Sequence, residues 1–394
     1  MAQTFAGLGV RNRPPGSARR LMELRPGLQQ RLETMTAAVR EPLVGITTNG
    51  EPVPGLFPVR GTGVSTQPLV MAADAYLEAL TPEQRAKAVF SVDDSQTWRS
   101  WSNIHPFMLR HGVCLEEMSE AQRDLALAIV RETLSTSGYQ CARGVMKLND
   151  YIGEITEKYE EYGEWVYWLS IMGTPSTDEP WGWQIDGHHL NVNCFVLRDQ
   201  LVMTPCFMGS EPVTCDEGKH AGTRVFQTEE SMGLAFMGAL TAEQRAKAIV
   251  GAALPSETAG FHDNDRIPYE GISHDELSGD QQGRLLGIIE QYVGRMRPGH
   301  ARVRMDEVQS HLAGTCFAWA GDHGADSVFY YRVYNPVILI EFEHQAGIAL
   351  DNDYPTRNHI HTVVRTPNGN DYGMDLLRQH HAQYRHVGGA HVPR

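Results

Sequence analysis

No two cysteines in the chain stand at CxxC spacing, no apolar run approaches the ~20 residues that cross a bilayer, and basic side chains are in the minority. Each shortage excludes something. With 34 basic and 48 acidic side chains the formal charge is −14, the wrong sign for a phosphate-backbone binder or an anionic membrane surface. The six cysteines (Cys114, Cys141, Cys194, Cys206, Cys215 and Cys316) match no zinc-ribbon spacing and form no disulfide framework; they read as reduced, buried small hydrophobes. There is no GxGxxG after a strand, no GxxxxGK[ST] and no GxSxG. Serine–histidine and cysteine–histidine catalysis stay open, because those partners need not be close in sequence, and Cys194 and Cys206 are the thiols to watch. Residues 1–17 lack the apolar stretch of a signal peptide, so a cytoplasmic protein is the expectation.

What is present is an ordinary globular balance, 41% hydrophobic and 21% charged over 394 residues, enough for two or three folding units or one duplicated domain. An internal repeat favours duplication. Ala79-Leu-Thr-Pro-Glu-Gln-Arg-Ala-Lys-Ala88 recurs as Ala239-Leu-Thr-Ala-Glu-Gln-Arg-Ala-Lys-Ala248, with nine of ten positions identical. Each copy is a capping box opening a helix at Thr81 or Thr241. A second pair of helix starts follows, Met118-Ser-Glu-Ala-Gln122 and Leu277-Ser-Gly-Asp-Gln281.

Both copies then run into aromatic and β-branched sequence that alternates as strands do: Val166–Met172 and Trp183–Leu197, then Thr315–Ala320, Ser327–Tyr334 and Val337–Glu343. The reading is α+β, internally duplicated, with helices packed on antiparallel sheet in a pseudo-two-fold arrangement. Residues 1–70 would be an N-terminal helix, broken at Pro26, and an extended connection. Residues 71–230 and 231–394 would be the two repeats, the second closed by a helix over Tyr372–His386, all in one intertwined unit.

Seventeen histidines, seven of them beyond residue 343, mark where chemistry belongs, since imidazole is the commonest metal ligand and the neutral-pH acid–base group. In Trp181–Asn193, read as a strand, His188 and His189 point to opposite faces. His189 then shares its face with Asn191 and Asn193, and His188 shares its face with Asp186. In Asn358-His-Ile-His361, strand spacing projects His359 and His361 from one face about 7 Å apart, a geometry for chelating one ion. Glu341 and Glu343 end an apolar strand, where a buried carboxylate needs a metal, histidine or arginine partner. On the last helix His380 shares a face with Tyr384, while Asp375, Arg378 and His381 read as surface.

These stretches carry a resemblance. Gly187-His-His189 followed by Thr204-Pro-Cys-Phe-Met-Gly209, Tyr330-Tyr-Arg-Val-Tyr-Asn-Pro336 leading into Ile340-Glu341, then Asn358-His-Ile-His361 and Asn370-Asp-Tyr-Gly-Met-Asp-Leu-Leu377, occur in that order. Their combination resembles a family known as domain of unknown function 3500, over most of the chain from about residue 70. The chain departs from that pattern at Glu343-His344, Val364 and Thr366. The resemblance implies a shared fold and no particular reaction.

The function expected is a metal-dependent enzyme acting on a small organic substrate. His359, His361 and either His188 or His189 would hold a divalent transition ion (Zn, Fe, Mn or Cu), with Glu341 as ligand or base and Asp186 and His188 as catalytic neighbours. Hydrolysis stands slightly ahead of non-haem redox chemistry on a two-His–one-carboxylate site. The other class is a non-catalytic module that binds a small ligand between its halves, walled by Trp165, Trp168, Trp181, Trp183, Tyr330 and Tyr331. Nucleic acid and membrane are excluded as partners, and a homodimer is compatible with the sequence.

Overall fold

Four Ser/Thr-x-x-Gln boxes start four helices, and in each the hydroxyl and the glutamine reach back to cap one another's backbone: Thr81 with Gln84, Ser119 with Gln122, Thr241 with Gln244, and Ser278 with Gln281. The glutamines also join neighbouring helices. Gln122 donates to the Ala79 carbonyl and the Gln84 side chain, and Gln281 donates to the Ala239 carbonyl and the Gln244 side chain, all at 2.8 Å. The same local chemistry therefore occurs twice, about 160 residues apart.

The structure is a computed structural model that describes residues 8–11, 26–103, 108–159, 161–255, 262–387 and 390–393. Among the described residues, eleven α-helices accompany a 13-stranded sheet. Its main path runs Ile249–Gly251, Cys316–Gly321, Phe329–Tyr334, Leu339–Ala346, Pro355–Arg365, Cys206–Ser210, Leu190–Leu197, Trp181–Gly187, Tyr167–Met172, Val89–Phe90. All neighbours on this path are antiparallel except the two edge pairs, which are parallel. The two chain halves meet where Pro355–Arg365 pairs with Cys206–Ser210, so one continuous sheet replaces two separate ones.

Strand alternation gives the sheet two unlike faces. Residues such as Leu169, Trp183, Ile185, Tyr331, Ile340, Phe342 and Ile360 belong to one large buried core with the helices. Phe236 of the Gln227–Ala239 helix lies 4.6 Å edge-on from Phe317, and Tyr292 of the Gly279–Val293 helix meets the Tyr331 hydroxyl at 2.6 Å. Trp181, Trp183 and Tyr331, expected as walls of a ligand pocket, are core side chains. The other face carries Asp186, Asn191, Glu341, Glu343, His359, His361 and Arg365, all buried. Buried charge there is paired, as it must be. Arg110 meets Asp186, and Arg365 lies 2.9 Å from Asp263 and 3.2 Å from Asp371.

Several expectations shift by a few residues. The described part of the first helix is Pro26–Ala38; the Met374–Gln383 helix is shorter than read from sequence, and Tyr384–Val387 is a strand. Residues 17–25 of the expected first helix lie outside the described residues. All six cysteines are free thiols. Among the described residues no helix is long and apolar enough to cross a membrane.

Candidate metal centre

The Gly187-His-His-Leu190 stretch is not one strand. Gly187 pairs with Leu190, so His188 and His189 are the two residues of a hairpin turn, and His189 takes φ 62° in the left-handed region. The alternation expected for His188 and His189 is thereby lost. Their rings stack instead, with centroids 3.9 Å apart. A histidine in that region costs about 1–3 kcal/mol, strain of the kind that gathers at functional sites.

The turn carries His189 towards His359 and His361 on Pro355–Arg365. The three Nε2 atoms form a triangle with sides of 3.2 Å (His189–His359), 3.0 Å (His359–His361) and 3.2 Å (His189–His361). Nitrogens bound to one ion at 2.0–2.1 Å lie about 2.9 Å apart at right angles and about 3.3 Å apart at tetrahedral angles. The triangle falls inside that interval. Among the described residues, the buried group of mutually close ligand atoms here contains these three histidines and no carboxylate.

The outer ring nitrogens decide which tautomers are present. His359 Nδ1 stands 2.7 Å from the Ala346 carbonyl, which only accepts, so Nδ1–H donates and Nε2 carries a bare lone pair. His361 Nδ1 donates in the same way to Glu343 Oε1 at 3.1 Å. Two bare lone pairs thus face each other at 3.0 Å, and His189 has at most one N–H to share between them. A cation at the centre of the triangle turns that repulsion into coordination. Burial holds all three rings neutral, as ligands must be: it takes His361 down to about 3, lowers His359, and lowers His189 well below the usual range with help from neighbouring His188, His361 and His359.

The surrounding groups fix these rings, as second-layer partners of metal ligands do. Gly209, in the Cys206–Ser210 strand, leaves the room: a Cβ there would stand 2.8 Å from His361 Cδ2 and 3.4 Å from His189 Cδ2. Its amide also donates to the His189 carbonyl at 2.8 Å. Glu211 accepts the backbone amides of Ile348, Ala349 and Leu350 at 3.0 Å and comes within 3.7 Å of His359 Nδ1. His188 Nδ1–H donates to Asn149 Oδ1 at 2.8 Å, which places it behind His189.

The remaining expected residues lie elsewhere. The Glu341 carboxylate accepts the Tyr330 hydroxyl, and it is Glu343 that meets a site histidine. Asp186 pairs with Arg110, and burial outweighs that charge to raise its carboxyl to about 7. His380 is buried against Tyr384, with ring centroids 5.2 Å apart, on the final helix. Sequence reasoning missed Asn149, which is far along the chain from every motif, and Glu211, which stands two residues beyond the quoted Thr204–Gly209 stretch; Gly209 stood in that stretch without a role. A second cluster, Asp150, Glu164 and His220, already holds Lys219 Nζ at 3.0 Å from both carboxylates, so its cation is supplied by the chain.

The profile of a family described as "Protein of unknown function (DUF3500)" matches residues 62–374. No curated protein and no solved structure matches the chain.

Proposed function

As the chain belongs to the DUF3500 family, whose description names no activity, we propose from the site alone that it is a metal-dependent enzyme with one divalent ion on His189, His359 and His361. The observation that carries this reading is the Nε2 triangle of 3.0–3.2 Å with the outer nitrogens of His359 and His361 committed to acceptors. Three neutral imidazoles and a further coordination position form the ligand set of catalytic zinc, which supplies a water of lowered pKa to an electrophilic substrate. The carboxylates support hydrolysis over two-His–one-carboxylate oxygenation, since Glu343 and Glu211 stand behind ring nitrogens rather than beside the Nε2 atoms. Glu343 raises the basicity of His361 and orients it.

Elemental analysis of protein purified without a histidine tag tests this. The expected result is about one zinc, iron, manganese or copper per chain, lost in His359→Ala/His361→Ala, with metal-dependent hydrolysis of p-nitrophenyl acetate that the same variant abolishes. Metal-free protein that takes up none of these ions on titration ends the proposal. Full occupancy without hydrolysis returns the redox reading.

The recurrence of the capping boxes and glutamine bridges, and the central meeting of the halves, support a duplicated, pseudo-two-fold fold in which residues 71–230 and 231–394 correspond. In that arrangement the ion's ligands come from both halves, His189 from the first and the histidine pair from the second.

A further inference from the structure

The strands Cys206–Ser210 and Pro355–Arg365 present His361 and Gly209 on one face and Cys206 and Val364 on the other. On that opposite face lies a cleft of ≈ 60 Å³ between sheet, helices and the strap around Phe57–Thr62. Its apolar wall includes Phe57, Met203, Met296, Ile338 and Val364.

One polar group in this wall stands out. His300, on the Pro298–Gln309 helix, is 5% exposed, lines the cleft, and makes no hydrogen bond among the described residues. Three other buried histidines have hydrogen-bond partners: His188 has Asn149, His220 has Asp150 and His344 has Glu230. The neighbouring polar groups are satisfied within the protein. Thr204 and Thr366 share a hydrogen bond of 2.7 Å, and Arg304 is held by the Val337 carbonyl, the Thr366 hydroxyl and the Glu307 carboxylate.

We propose that this cleft is a second binding site, taking an uncharged, mostly apolar small molecule that bears one hydroxyl or carbonyl group and hydrogen-bonds His300. The imidazole is neutral there, because burial and the charge of Arg297 outweigh Asp199 and bring it down to about 4, so it offers one N–H and one lone pair. The half-buried Arg304 guanidinium is committed to Glu307, and Arg60, the other arginine of the lining, is exposed to water, so a carboxylate entering the apolar cleft would be desolvated without a buried cation to meet it. The enclosed volume is well below the ~150 Å³ that takes up benzene, so a five-carbon ring fills it and reaches the cleft mouth. The site is separate from the metal centre and does not depend on it.

Calorimetric titration of the full chain with cyclopentanol and with cyclopentanecarboxylate at pH 7.5 tests the proposal. Cyclopentanol is expected to bind saturably and the carboxylate not to bind. His300→Leu should weaken cyclopentanol about fivefold, the worth of one hydrogen bond. Val303→Phe, at a half-buried wall position, should abolish binding while leaving the melting temperature and metal content unchanged. Absence of saturable cyclopentanol binding, equal binding of the carboxylate, or binding that survives Val303→Phe overturns it.

Discussion

His359 and His361 bring their Nε2 atoms to 3.0 Å, although strand geometry sets their backbone positions about 7 Å apart. The two rings lean together at an interplanar angle of 89°, each tethered from behind by its Nδ1. Such convergence of buried lone pairs is unfavourable without a cation, so the ion should be part of folding stability. At a free zinc concentration 100-fold above Kd, the holoprotein should gain about 2.7 kcal/mol over the chelated protein. Urea unfolding with zinc and with EDTA measures the difference, and coincident curves would sink the linkage.

Glu343 touches His361 Nδ1 and is not one of the three ligands. Glu343→Gln keeps size and an acceptor oxygen but removes the charge that makes His361 a stronger donor. Metal affinity should fall about 10- to 100-fold with stoichiometry unchanged. A competition titration against a chromophoric chelator reads the constant. Loss of stoichiometry would instead make Glu343 a direct ligand.

How much of this centre was legible in the sequence differs from residue to residue. His359 and His361 were readable because a period of two is fixed by strand geometry wherever a strand forms. His189 was readable as a candidate but not as the member chosen over His188. Gly187-His-His-Leu190 contains none of the Asn-Gly or Asp-Gly pairs that announce a two-residue turn, and a left-handed histidine has no sequence signature. Glu341 and Glu343 share a strand face, so only the register against His361 separates them. Asn149 reaches the site by tertiary packing from a distant helix, and Glu211, just past the Cys206–Ser210 strand, meets His359 only because that strand pairs with Pro355–Arg365; no local pattern encodes either contact. The fold was clearer where local chemistry rules: the capping boxes at Thr81 and Thr241 form, the two further helix starts are capping boxes as well, and both faces of the sheet follow alternation.

Glu230 links the Gln227–Ala239 helix to the strands, accepting from Arg357 at 2.6 Å and meeting His344 Nε2 at 2.9 Å. Burial alone would raise its carboxyl, but hydrogen bonds from Arg357 and His344 prevail and bring it to about 2. A depressed folded pKa means stability that is fully present above the unfolded value of about 4.3 and lost as pH falls from there to about 2. Arg357 is 38% exposed on its side chain, so solvent screening reduces the contribution to about 1–2 kcal/mol. Glu230→Gln should therefore be less stable than the parent at pH 7, with the gap closing towards pH 2. Stability curves at pH 7, 4 and 2.5 test the sign, and a gap that widens in acid would contradict it.

His189 combines a strained backbone with a ligand side chain, and one substitution separates the two. At φ 62° glycine is at ease where histidine is not, so His189→Gly removes strain worth about 1 kcal/mol while deleting the Nε2 atom. The variant also loses ring stacking on His188 at 3.9 Å, which offsets part of that relief. In EDTA, His189→Gly should match the parent stability within about 1 kcal/mol; with zinc, only the parent should gain. His189→Ala deletes the same ligand without relieving the backbone and should be the less stable of the two in EDTA. If the alanine variant proved the more stable, the left-handed turn would not be strained. If both variants kept stoichiometric metal, the third ligand would lie elsewhere.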